Sequence, residues 1–190
     1  MNTVSSLPNL HEIGWVHFEG RIPDVLLAAI PELKAILQPE TIISIEFEKP
    51  DRVGLNDLIP LAQIAIFSRT YFKHWVQRQE QVTDETILLR RFFKELQERN
   101  PQTTAIITMG EEGACLGTRH RTEGYIPFAT EKVQVVDATG AGDTFLAGFV
   151  WAYGVKKVSS IHSVELAVKL ATIKVAQEGF EGIWQELVEL

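Results

Sequence analysis

Nine consecutive residues, Asp137-Ala138-Thr139-Gly140-Ala141-Gly142-Asp143-Thr144-Phe145, concentrate the groups best suited to chemistry. Gly140 and Gly142 flank the small Ala141, so the backbone can turn tightly there and approach a ligand closely. A helical pattern begins directly afterwards, and the free N–H groups and positive dipole end of a helix start favour an anion. Asp143 is the odd member, because a carboxylate repels a bound phosphate. It fits if its task is to take a proton from the group that attacks the phosphate. The combination points to phosphoryl transfer to an alcohol. A turn followed by an N-cap aspartate explains a bare Gly-Asp pair equally well.

The elements that must position this loop are α/β in pattern. Short apolar runs alternate with helical periodicities, as parallel βαβ units require. Trp15 to Glu19, Thr41 to Phe47 and Ile64 to Phe67 read as strands, the last apolar throughout and therefore buried on both faces. Pro23 suits a first helical turn, and the pattern from Val25 to Leu37 is interrupted by Pro31. Thr83 or Asp84 can cap a helix running to Arg99, with Leu88, Phe92 and Leu96 inward. Thr104 to Met109 and Ala114 to Thr118 read as strands joined by the Gly110-Glu111-Glu112-Gly113 turn.

Tyr125 to Phe128 suggests a further short strand, and Val133 to Val136 a strand leading into the glycine loop. Beyond it, Phe145, Leu146, Phe149, Val150 and Tyr153 share a helical face, with Gly148 placed for close packing against a sheet. Ser159 or Ser160 opens a last long helix, with Val164, Ala167, Val168, Ala171 and Val175 on one face. The predicted architecture is a three-layer α/β/α sandwich in a single domain, whose ligands bind beyond the carboxyl ends of the strands.

Composition narrows the partners. The 18 basic and 25 acidic residues leave a charge of −7, which disfavours nucleic acid. No apolar stretch is long enough to cross a membrane, and Met1 to Pro8 lacks the basic start and apolar run of a signal peptide, so a cytoplasmic location is expected. Cys115 is the single cysteine, which leaves no internal disulfide and no thiolate cluster; a buried small side chain is its expected role. His11, His17, His74, His120 and His162 show no paired metal spacing.

The run from 137 to 145 resembles the signature of the PfkB, or ribokinase-like, family of carbohydrate kinases. Trp15-Val16-His17-Phe18-Glu19-Gly20-Arg21, Ile45 to Pro50, Glu111 to Ala114 and Gly179 to Ile183 are similar in order and spacing to segments of its ketohexokinases, which phosphorylate fructose. The resemblance runs over nearly all of the chain and roughly matches the C-terminal two-thirds of such an enzyme. It implies a ribokinase-like fold, ATP and a sugar as ligands, and Mg²⁺ held mainly through the ATP phosphates. It makes Asp143 the base for the sugar hydroxyl, and Gly140, Ala141, Gly142 and Asp143 the anion hole. Gly110, Glu111 and Gly113 would border the nucleotide. The segment from Glu178 to Gly182 is similar to a loop near adenine, although a helix-ending turn at Gly179 explains it equally well.

Where many members carry Asn-x-x-Glu, this chain has Ser68-Arg69-Thr70-Tyr71, so the protein itself is expected to supply no metal ligand. The family's first βαβ units, its sugar-binding asparagine and glycines, and its β-sheet lid have no counterpart in the matched portion. A homodimer formed through that lid is thereby left open. Two readings stand: an ATP-dependent fructose kinase, and a homologue that binds nucleotide or a partner without turnover. A dinucleotide-binding protein fits less well, since neither G-x-G-x-x-G after the first strand nor a P-loop is present.

Overall fold

The computed structural model describes residues 10–79, 82–117, 126–128 and 132–187. The expectations for Met1 to Pro8, Thr118, His120 and Tyr125 lie outside them. Six strands follow one another as hydrogen-bonded neighbours in chain order: β1 (Trp15–Glu19), β2 (Ile42–Phe47), β3 (Ile64–Ser68), β4 (Thr104–Gly110), β5 (Gly113–Gly117) and β6 (Ile126–Phe128). The chain divides into two compact units, Met1–Ile107 with Gly117–Tyr125 and Thr108–Leu116 with Ile126–Leu190.

In the first unit β1, β2 and β3 are parallel, with Trp15 opposite Ile42 and Ser44 opposite Ile64. Parallel neighbours need crossovers. Helix α1 (Pro23–Lys34) supplies the first, and the 3-10 helix Leu55–Leu61 the second. Pro23 opens α1, where its missing N–H costs nothing, and Pro31 is carried inside the helix rather than breaking it. Helix α2 (Arg69–Val76) starts directly at the end of β3, its first turn capped by Ser68 Oγ accepting from Tyr71 N. Helix α3 (Glu85–Arg99) begins at Asp84, whose carboxylate accepts from the amides of Thr86 and Ile87.

The expected inward stripe of Leu88, Phe92 and Leu96 is buried, together with Leu89 and Phe93. Phe92 is the centre of an aromatic cluster with Phe67, Tyr71, Phe72, Trp75 and Phe93, at centroid separations of 5.1 to 6.2 Å and steep ring angles. Burial pushes the Tyr71 phenol up to about 12, and its hydroxyl donates to Asn56. Asp84→Ala removes the cap of α3 and is expected to lower stability by about 1 kcal/mol, read as a shifted midpoint in urea unfolding.

The second unit contains the end of β4, β5, β6 and the last two helices. The Glu111-Glu112 turn joins β4 to β5, with Gly110 and Gly113 at φ of 65° and 91°, a backbone region that side chains with a Cβ resist. β5 then pairs antiparallel with β6, Cys115 opposite Pro127. Cys115 is buried as a thiol, outside any disulfide. Helix α4 (Ala141–Phe149) runs on into a π-helical turn, Val150–Val155, and Ser159 caps helix α5 (Ser160–Val175).

Two expectations are corrected here. Val133 to Val136 form no strand, and all but Gln134 among them are exposed apolar side chains. The amides of Val136 and Asp137 instead donate to the carbonyl of Val175 at 2.7 and 3.2 Å. The end of this β-branched run is thus held by the last carbonyl of α5, one of those a helix C-terminus leaves unsatisfied, rather than by a ladder. Gly148 packs against a helix, not a sheet: a Cβ there would lie 2.6 Å from Leu170 Cδ1 and 3.4 Å from Ala167 Cα, both on α5. That glycine lets α4 and α5 approach closely.

Candidate functional site

The residues expected to bind phosphate come together in one place, the start of α4. Gly140 occupies the N-cap position at φ 77°, and Ala141, Gly142 and Asp143 form the first turn. With no side chain at position 140, the helix start has no capping oxygen to satisfy its amides. Ala141 N donates to Ala138 O at 3.3 Å, and Thr144 N begins the helical ladder at Gly140 O. Helix geometry leaves the N–H groups of Gly142 and Asp143 without an intrahelical acceptor, at the positive end of the peptide dipoles. Gly142 and Asp143 are both exposed, so ligand and solvent can reach them.

Asp143 therefore does not cap the helix; Gly140 takes that position. The carboxylate is one of the favourable first-turn acids, and it stands beside two amides able to grip an anion. This arrangement can place a phosphoryl group on the amides with a proton acceptor adjacent to it.

Residues that sequence reasoning gave no role fix the loop. Asp137 Oδ1 accepts from Thr139 N at 2.9 Å, an Asx turn that starts the bend. Asp137 Oδ2 and the Asp137 carbonyl both accept from Lys174 Nζ, at 2.9 and 3.1 Å. The Lys174 side chain is wholly buried, whereas that of Asp137 is 32% exposed. The ammonium also lies 5.1 Å from the centroid of the Phe180 ring. That ring reaches over Gly140, where a Cβ would meet Phe180 Cζ at 2.5 Å. One detectable sign preceded the structure: Lys174 falls on the apolar stripe of α5, three residues after Ala171 and seven after Ala167.

The hydrogen bond from Lys174, followed by that from Thr139, holds the Asp137 carboxyl down at about 2, below its usual 3.8. A depressed carboxylate pKa stabilises the fold above the unfolded value, and that contribution is lost as pH falls through the folded value. The loop is accordingly expected to destabilise between about pH 4 and 2. Thermal melts across that window should show an acid limb that Asp137→Asn flattens.

Gly110, Glu111 and Gly113 lie in the same unit but on a separate element, the β4–β5 turn; Gly113 is buried, while Gly110 and Glu111 are exposed. Position 68–71, read as lacking a metal-site carboxylate, is the capped start of α2 in the other unit. A cavity of about 190 Å³ in that unit is lined by Lys34, Gln38, Thr41 and Gln63. Thr41 and Gln63 immediately precede β2 and β3, so this cavity sits at the amino ends of the parallel strands, the end such sheets do not use for ligands. Among the described residues no three His, Cys, Asp or Glu side chains converge as a metal cage, and no helix is long and apolar enough to cross a membrane.

Comparison with known proteins gives this geometry a context. The bifunctional protein HldE of Campylobacter concisus is 38% identical over 103 residues, which is 52% of this chain and 21% of that protein. The crystal structure of adenosine kinase from Sinorhizobium meliloti superposes with a TM-score of 0.72 at 20% identity, covering 95% of this chain and 55% of that one. A fructokinase double mutant from Vibrio cholerae, in a form with fructose, ADP and potassium ion bound, gives 0.66 at 18% identity, covering 95% and 60%. The chain thus has the α/β fold of the ribokinase-like kinases and spans less than two thirds of the length of each of these proteins. The sequence profile of the pfkB family carbohydrate kinases matches residues 6–185. With that match running almost end to end, the chain belongs to the pfkB family of carbohydrate kinases.

Proposed function

We propose that this chain carries the phosphoryl-transfer half of an ATP-dependent sugar kinase, and that the sugar is fructose, phosphorylated at its 1-hydroxyl. The observation that carries the reading is the exposed Asp143 carboxylate in the same helical turn as the unpartnered amides of Gly142 and Asp143. Family membership supports the kinase chemistry, and the segments similar to ketohexokinases support fructose.

In this reading the amides at the start of α4 receive the terminal phosphate of ATP and hold it as charge shifts during transfer. Phosphoryl transfer leaves little covalent work for the protein, so positioning and electrostatics dominate. Asp143 accepts the proton of the sugar hydroxyl as that oxygen attacks the phosphorus in line and the bond to ADP breaks. Glu111, with Gly110 and Gly113, borders the nucleotide. Mg²⁺, when bound, neutralises phosphate charge. The Asp137 carboxylate is committed to Lys174 and Thr139, and the metal would be held mainly through the nucleotide's own phosphates, as the family resemblance implies.

The test is an ATP titration followed by an assay of ADP release with and without fructose. Saturable ATP binding with fructose-stimulated ADP release supports the reading. Binding without stimulation by any sugar identifies instead a nucleotide-binding homologue without turnover, the alternative that partial coverage of the related kinases keeps in view.

A further inference from the structure

Lys174 is the one charged side chain in the buried face of α5, among Val164, Ala167, Val168 and Leu170. Burying an ammonium is costly, and an apolar side chain of the same length would fill the space without that cost. Two of its donors are committed to Asp137, and the ammonium lies 5.1 Å from the centroid of the Phe180 ring. These contacts reach Asp137 and Phe180 and not α4, which closes on α5 at Gly148.

We propose that Lys174 is a positioning residue for phosphoryl transfer, its ammonium setting the anion-binding loop through Asp137. The inference rests on the phosphate reading of that loop. The path is short and contiguous. Lys174 Nζ holds one Asp137 carboxylate oxygen and the Asp137 carbonyl, the second carboxylate oxygen holds Thr139 N, and Gly140 then turns into α4. The carboxylate is a bridge between the buried cation and the first amide of the loop. Without the cation, Asp137, partly exposed, is free to turn to water. Thr139 N then loses its acceptor, and Gly140 is no longer held ready in its left-handed conformation. Binding phosphate must then order the loop first, which weakens it.

The experiment compares Lys174→Met, Asp137→Asn and the double variant with the unaltered chain, by ATP titration and by hydrogen exchange at Thr139 and Gly140. Each single variant is expected to bind ATP about tenfold more weakly, the scale of one charge-assisted hydrogen bond, with cooperative unfolding retained. Because both residues act through one bridge, the double variant should be no weaker than the worse single one, a coupling that independent losses of packing do not produce. Each single change alters one side of the buried pair, whereas the double variant removes both charges together, so the inference is testable even if a single variant fails to fold. Affinities within about twofold of the unaltered chain, or losses that add in the double variant, overturn the inference. If the unaltered chain binds no ATP, the phosphate reading fails by itself. The exchange data then decide the loop's dependence on Lys174: unchanged protection of Thr139 in Asp137→Asn and Lys174→Met overturns it.

Discussion

Asp143→Asn is expected to cut sugar-dependent ADP formation by about 10²–10⁴-fold, the usual contribution of a positioned general base. Asparagine matches aspartate in size and leaves the backbone of α4 in place, so the amides of Gly142 and Asn at position 143 still face the phosphate. ATP affinity should therefore hold or improve, because the variant removes a negative charge from beside the bound anion. That split, a collapse of kcat with ATP binding preserved, distinguishes a base from a residue that merely starts the helix. A first-turn acid that only complements the helix dipole would on removal cost less than about 1 kcal/mol of stability and leave the rate unchanged. Steady-state kinetics beside an ATP titration read both quantities, and retained turnover in the Asn variant would remove Asp143 from the mechanism.

Gly140→Ala should act on the other term, the binding of phosphate. Position 140 has φ 77°, and an alanine there carries about 1–3 kcal/mol of backbone strain. Its Cβ would also fall within 2.5 Å of Phe180 Cζ. The Phe180 ring is 58% exposed and reached at its far end, so it can swing aside. Strain, not the collision, should decide the outcome. If the loop relieves that strain by abandoning its geometry, ATP affinity falls by about tenfold to a hundredfold, since each 1.4 kcal/mol is a factor of ten. Adding Phe180→Ala removes the collision and leaves the strain, so the double variant should not recover. Recovery would show that the ring, rather than the left-handed turn, limits this position.

Periodicity and capping made most of the fold legible. The helix from Glu85 to Arg99 was readable because Asp84 precedes a stripe of Leu88, Phe92 and Leu96, and all of these behave as their spacing requires. Ser159 announced α5 in the same way. Helix α2 was missed because it follows β3 with no intervening loop and is only eight residues long, too short for its periodicity to register. The valines from 133 to 136 misled for a different reason. β-branched residues favour an extended backbone but do not specify the partner, and here the partner is the end of a helix.

The loop itself was legible because its chemistry is local: glycines, an acid and a helix start within four residues. Its support was not, since Lys174 meets Asp137 across 37 positions and Phe180 meets Gly140 across 40, and no local pattern encodes such a pairing. The buried lysine in an apolar stripe was the trace it left.

The most direct test of the account is to titrate the ¹⁵N-labelled chain with Mg²⁺·ATP and follow its backbone amides by NMR. The largest saturable shifts should fall on Gly142 and Asp143, with Thr139 and Gly140 following as the loop tightens. Shifts confined to residues around Gln38 and Gln63, with positions 139 to 143 silent, would place any nucleotide in the cavity before β2 and β3 and contradict the assignment of α4 as the phosphate site.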